Sequence, residues 1–145
     1  VDDVIIMGVK TRGIPLAERI VSKIEEIENT KVELDSVDIA FYRDDLVKKA
    51  DIPIVGEHHK IDVSGKTVII VDDVVYTGRT CRAAIEVIFD MGRPNKIQFA
   101  ALIDRGHREL PLRPDFVGKN IPTSAKEQVS VKLVETDGED RVILQ

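Results

Sequence analysis

Apolar residues fall along this chain in two rhythms. Residues 4–9 (Val-Ile-Ile-Met-Gly-Val), 68–71 (Val-Ile-Ile-Val) and the run from Lys96 to Asp104 are apolar or β-branched with almost no polar alternation. Strands buried on both faces, as in a parallel sheet covered by helices, read this way. After the first two runs the period becomes helical. Pro15 opens a segment with Leu16, Ile20, Ile24 and Ile27 on one face and charges on the other, and residues 81–91 carry Ile85, Ile88 and Phe89 before a C-capping Gly92. Residues 37–42 alternate enough for a strand. From Arg43 to Gly65 the chain is polar, contains proline and glycine and keeps no period, which predicts a long excursion with room for a short hairpin. Residues 115–124 read as a short strand and loop. Residues 129–133 and 141–144 flank Asp137-Gly138, which predicts an antiparallel hairpin. The whole predicts an α/β fold with a mostly parallel central sheet flanked by helices.

Chemistry concentrates after the second run. Asp72 and Asp73 follow it at once, and burying two adjacent carboxylates costs desolvation and repulsion. They are therefore expected to emerge at the carboxyl edge of the sheet, where open α/β sheets bind ligands. Val74, Val75, Tyr76, Thr77, Gly78, Arg79 and Thr80 then lead into the second helix. A glycine that turns amides inward, two threonine hydroxyls and a helix start make a phosphate cradle. Its spacing is neither that of a Walker loop nor that of a dinucleotide fingerprint. Carboxylates beside an anion cradle fit a ligand that is diol at one end and phosphate at the other, such as ribose 5-phosphate. A receiver-like acidic pocket is the plainer alternative, but it leaves the Thr-Gly-Arg-Thr segment without a task. Thr11, Arg12 and Gly13 form a loop at the end of the first run. Alone such a turn is usually a solvated loop; its place at the same sheet edge makes it a second candidate anion site.

Composition narrows the classes. A chain of 145 residues with 43 % hydrophobic content suits one domain. The single cysteine excludes an internal disulfide, and no run approaches the roughly 20 apolar residues of a membrane span, so a cytoplasmic location without a membrane partner is expected. The net charge of -5 excludes a generally basic nucleic-acid binder. One segment departs from that balance: between residues 105 and 119, Arg105, Arg108, Arg113 and Lys119 outnumber Glu109 and Asp115, and His107 adds a stacking group. Such a segment is an ordinary solvated loop or a local RNA patch. His58 and His59 have no carboxylate or cysteine at ligand spacing. The start at Val1-Asp2-Asp3, almost directly before a strand, leads to the expectation that a preceding N-terminal segment is missing.

The two aspartates followed by Thr77-Gly78-Arg79-Thr80 resemble the phosphoribosyl pyrophosphate (PRPP) signature of type I phosphoribosyltransferases. The resemblance implies a single phosphoribosyltransferase domain over residues 1–145, with a flexible flap and a C-terminal hairpin, and leads to the expectation that the family's N-terminal helix is the missing segment. It also implies roles. Asp72 and Asp73 fix the ribose hydroxyls. Residues Val74 to Thr80 hold the 5-phosphate. Thr11, Arg12 and Gly13 form the pyrophosphate loop, and Arg12 with Arg43, at the flap base beside Tyr42 and Asp44, stabilises the departing pyrophosphate. Mg²⁺ is held by PRPP, pyrophosphate and water with no direct protein ligand. Residues 38–46, 104–111 and 115–124 further resemble a branch of the family, regulators of pyrimidine operons that are also uracil phosphoribosyltransferases. That branch implies conversion of uracil and PRPP to UMP and pyrophosphate, with Arg105 and Ile121 in the base pocket. It also implies UMP-favoured binding of pyrimidine-operon leader mRNA through His107, Arg108, Arg113 and Lys119, and a homo-oligomer, a dimer or a dimer-based hexamer. Two alternatives stay open: transfer to another base without RNA regulation, and a nucleotide-sensing RNA-binding regulator with little catalysis.

Overall fold

The computed structural model describes residues 2–40 and 61–145. Strand β1 (Val4–Val9) shows why both faces of the sheet are covered. Its odd members Ile5, Met7 and Val9 join one apolar cluster and Ile6 joins another, as period-two side chains must. Helix α1 (Gly13–Glu28) covers the Ile6 face with Ala17 and Val21. After β2 (Glu33–Val37) and β3 (Thr67–Val75), helix α2 (Arg79–Met91) covers the opposite face with Ala83, Ala84, Val87 and Ile88. Strands β4 (Lys96–Asp104) and β5 (Phe116–Asn120) complete a parallel sheet of order β2-β1-β3-β4-β5. The chain turns one way after β1 and the other way after β3. With right-handed crossovers this sets the two helices on opposite faces and opens a crevice between β1 and β3 at their carboxyl ends. Ile5, Ile6, Met7, Ile70 and Ile88 are fully buried, each worth about 1.5–3 kcal/mol of transfer free energy.

Strand β3 does not end before the aspartates. It runs through them, with Asp72 in register with Ala101 of β4. The reason lies in unequal strand lengths: β1 stops pairing at Gly8, opposite Val71, so from Asp72 onward β3 has β4 on one edge and the crevice on the other. The carboxylates reach the ligand edge while still in a strand. Strand β2 likewise stops at Val37, where its partner Val9 ends β1, so the predicted strand over residues 37–42 is displaced toward the N-terminus. Phe41 to Lys60, with Tyr42, Arg43, Asp44 and most of the predicted flap, lie outside the described residues.

Two helical faces are narrower than their periodicity predicts. Ile27 is 76 % exposed and Phe89 is 59 % exposed. Ile27 lines an open groove with Ile20, Ile24, Ala100 and Phe116, between α1 and the β4–β5 side of the sheet.

The C-terminal hairpin pairs β6 (Val129–Lys132) with β7 (Arg141–Leu144) antiparallel. Asp137-Gly138 is not its tight turn. A short helix α3 (Val134–Asp137) intervenes, closed by Gly138 in the left-handed region at φ 79°. Val131 and Leu133 bury against Ile103, with Leu16, Val74 and Ile121 around them, which seats the hairpin beside the carboxyl edge of the sheet. Arg19 of α1 clasps it by pairing with Glu135 and Asp140.

Candidate active site

Two loops meet over the end of β3. The first, residues 10–12, leaves β1 with the Lys10 amide donating to the Val37 carbonyl (2.9 Å), and its Lys10–Thr11 peptide is cis. Arg12 is the N-cap of α1, and Gly13 begins the helix. No side chain fits at Gly13: a Cβ there would fall on the Val71 carbonyl oxygen, well inside contact distance. The small residue brings the helix start against β3 immediately before Asp72. The second loop, Tyr76-Thr77-Gly78, needs glycine for a different reason, a φ of 95° at the N-cap of α2. The Arg79 amide donates to Thr77 Oγ1 at 3.2 Å.

The loops share a floor. One cavity of ≈ 470 Å³ is lined by Asp72 and residues 74–80. A second, of ≈ 380 Å³, is lined by Thr11, Arg12, Asp38, Asp72, Asp73 and Thr80. Thr11, Arg12, Asp72, Asp73, Val74 and Thr80 all line this second space. Asp72 is 8 % exposed. Burial first, and then the adjacent Asp73, push its carboxyl well above the ordinary range. Asp73 is half-buried and accepts the Val74 amide at 2.8 Å. Cys81, one residue beyond the cradle, is buried and its thiol is pushed up to about 12, chiefly by burial. That makes it a packing residue and no nucleophile.

Arg12 has a partner that no spacing pattern announced. Its Nε donates to Asp137 Oδ2 (3.2 Å) and its Nη2 to Asp137 Oδ1 (2.8 Å). The pair raises the Arg12 pKa, with Asp73 adding to the effect, and the same bond holds the Asp137 carboxyl below its usual range. In the sequence Asp137 looks like a turn residue beside glycine; only the folded hairpin carries it to the cleft.

Arg105, expected in the base pocket, is buried at the edge of the cleft with its side chain already engaged. Nε donates to Thr123 Oγ1 (3.2 Å), and Nη2 to the carbonyls of Ser124 (3.1 Å) and Glu127 (2.7 Å). The guanidinium lies over the Tyr76 ring, 4.1 Å from its centroid. Arg105 therefore builds the wall and fixes Tyr76. Ile121 is half-buried against Ile103 and Leu133, and its amide donates to the Asp104 carbonyl at 2.9 Å.

The basic segment divides similarly. Arg113 and Lys119 are exposed. His107 is exposed at a φ of 67°, stands edge-on to Tyr76 with centroids 5.7 Å apart, and meets the Thr123 carbonyl through Nε2 at 2.5 Å. Arg108 faces inward. It donates to the carbonyls of Leu112 (2.7 Å) and Tyr76 (2.9 Å) and to Asp104 Oδ2 (2.7 Å). The amides of Glu109 and Leu110 both donate to the Thr77 carbonyl. The basic segment and the phosphate loop are thus one hydrogen-bonded unit, in which Arg108 is the brace. Burial raises the Asp104 pKa, but the bonds from Arg108 and the Gly106 amide outweigh it and hold the carboxyl below its usual range.

Among the described residues no group of three or more His, Cys, Asp or Glu side chains comes together to hold a metal, and no helix is long and apolar enough to cross a membrane.

Comparison with known proteins agrees with this geometry. The pattern of the phosphoribosyl transferase domain matches residues 2–136. The bifunctional protein PyrR of Clostridioides difficile (strain 630) is 55 % identical over 146 residues, taking in 100 % of this chain and 82 % of that protein. That of Brevibacillus brevis is 57 % identical over 146 residues with the same coverage. The hypoxanthine phosphoribosyltransferase of Trypanosoma cruzi superposes with a TM-score of 0.69 over 97 % of this chain and 75 % of its own; at 19 % identity this is a likeness of fold. The pattern spans nearly all the residues and the relatives exceed half identity, so this chain belongs to the phosphoribosyltransferase family, in the branch whose members are named bifunctional protein PyrR.

Proposed function

We propose that this chain transfers the phosphoribosyl group of PRPP to uracil, forming UMP and pyrophosphate, and that it binds pyrimidine-operon leader RNA in a UMP-responsive way. The carrying observation is that the two loops open onto adjoining cavities whose linings share Asp72, Val74 and Thr80. The names of the bifunctional relatives support the pairing of catalysis with regulation.

In the reaction the C1′–O bond to pyrophosphate breaks, a bond from uracil N1 to C1′ forms, and the N1 proton is released. The reacting carbon develops oxocarbenium character, which calls for no covalent nucleophile; positioning and electrostatics suffice. The amides of residues 77–80 and the hydroxyls of Thr77 and Thr80 hold the 5-phosphate at the start of α2. Asp73 accepts from the ribose hydroxyls and places negative charge near the developing cation. Asp72, which lines both cavities beside it, faces the same diol. Thr11, the amide of Gly13 and the side chain of Arg12 receive the pyrophosphate, joined by Arg43 from outside the described residues. The ring of Tyr76, fixed by Arg105, and Ile121 border the base. Oxygen-only carboxylates at the cleft floor suit a hard cation, and Mg²⁺, held mainly by the ligand's oxygens and water, would neutralise pyrophosphate charge there. Of the basic segment, Arg113 and Lys119 are free to meet RNA phosphates and His107 an unpaired base. The active unit is a homo-oligomer built on a dimer, and the residues form a single domain.

Product analysis with PRPP and each of uracil, hypoxanthine and guanine tests the catalytic reading: UMP from uracil is expected, and a purine nucleotide instead would overturn it. The RNA reading is tested by binding to a pyrimidine-leader stem-loop with and without UMP. Loss of both Arg113 and Lys119 is expected to lower the salt dependence of log K by about two phosphate contacts. An unchanged slope would remove these residues from the interface.

A further inference from the structure

We propose that Asp137 is a positioning residue for phosphoribosyl transfer: from the C-terminal hairpin it holds the Arg12 guanidinium at the pyrophosphate end of the cleft. The proposal rests on the reading of Arg12 given above and adds a residue 125 positions downstream in sequence. The contact is a fork. Asp137 takes one hydrogen from Nε and one from Nη2, which fixes the guanidinium plane, and of the five donors it leaves both hydrogens of Nη1 and one of Nη2 for an anion. An arginine at an exposed helix N-cap otherwise samples many rotamers, and ordering one on binding costs about 0.5–1.5 kcal/mol, which is roughly a two- to tenfold loss of affinity.

The carboxylate is itself held. Its Oδ2 also accepts the Leu133 amide (2.9 Å), and the Asp137 amide donates back to the Leu133 carbonyl (2.6 Å). Leu133 is 3 % exposed in the cluster that joins hairpin and sheet. Buried apolar contact thus anchors a rigid carboxylate aimed at a loop at the other end of the chain. The competing role for such a carboxylate is a decoy that occupies Arg12 until an anion displaces it. The two roles predict opposite signs.

The experiment is PRPP and pyrophosphate binding by calorimetry, with steady-state kinetics, for Asp137→Asn, Arg12→Ala, the double variant and Arg19→Ala. Asparagine keeps an oxygen for the Leu133 amide but cannot accept both arginine donors. Asp137→Asn is expected to weaken PRPP and pyrophosphate binding about three- to tenfold and to raise KM for PRPP alike, with KM for uracil and affinity for UMP unchanged. In the Arg12→Ala background it is expected to change nothing further, since it acts through that side chain. Asp137→Glu, which restores both acceptors, should recover part of the loss. Arg19→Ala loosens the same hairpin without touching the fork and is expected to leave PRPP affinity unchanged. Tighter pyrophosphate binding by Asp137→Asn, full additivity with Arg12→Ala, or an equal loss in Arg19→Ala would each overturn the proposal. If Arg12→Ala itself leaves PRPP affinity unaltered, the fault lies in the underlying assignment of Arg12.

Discussion

Asp72 and Asp73 are neighbours with different surroundings, and their replacements should separate. Asp73→Asn is expected to lower kcat/KM about 10²-fold with little change in Tm, because a partly exposed carboxylate carries little of the fold. Asp72 holds its proton more tightly in the folded protein than in the unfolded chain. Its contribution to stability therefore falls as pH rises from the ordinary carboxylate range toward the raised folded value, and the deficit persists above it. Asp72→Asn should raise Tm at pH 7–8 while impairing turnover, and its advantage over the parent should shrink as pH falls toward about 4. Thermal melts across that range check it; a lower Tm at pH 7 would show that the buried carboxyl is stabilising. The chemistry of this pair is legible from residue type and order. Their unequal burial depends on where β1 stops pairing, which no local pattern records.

Between elements, contact across loops decides roles that residue type leaves open. The family resemblance assigns Arg108 to an RNA surface, yet its side chain turns inward and one of its three bonds ties the basic segment to the carbonyl of Tyr76. Arg108→Ala is accordingly expected to weaken UMP binding as well as RNA binding, by up to about 1.5–3 kcal/mol for hydrogen bonds to a charged group. Titration of the variant with each ligand measures it; loss of RNA affinity alone would return Arg108 to the interface. The same braces offer a route by which occupancy of the phosphate loop biases the basic segment. The hairpin makes the complementary point. Its two strands were legible in the sequence, while α3 and the fork to Arg12 arise only when Val131 and Leu133 find Ile103.

For the molecule as a whole, two dependences follow. Saturating UMP or PRPP binds the folded chain alone and should raise its stability by about 2.7 kcal/mol at a ligand concentration of 100 Kd. An absent shift in the melting curve with both ligands would argue against the site. Asp104, Asp137, Glu135 and Asp140 have folded pKa values depressed by their arginine and amide partners. The stability they lend is present above the ordinary carboxylate range and is lost as pH falls from that range through the lowered folded values. Acid should therefore weaken the Arg19 clasp and, independently, the fork at Arg12 as Asp137 itself takes up a proton.

By itself the sequence determined the class of fold, the order of the elements of the central sheet and the glycine-bearing loops at its carboxyl edge. These are written locally, in apolar runs, helical periods and glycines that only certain backbone turns accept. Tertiary structure alone decided that Asp72 is buried, that Arg105 and Arg108 face inward, and that Asp137 reaches Arg12. Each of those depends on strand register or on a packed contact between distant segments, and residues far apart in the chain leave no spacing to read.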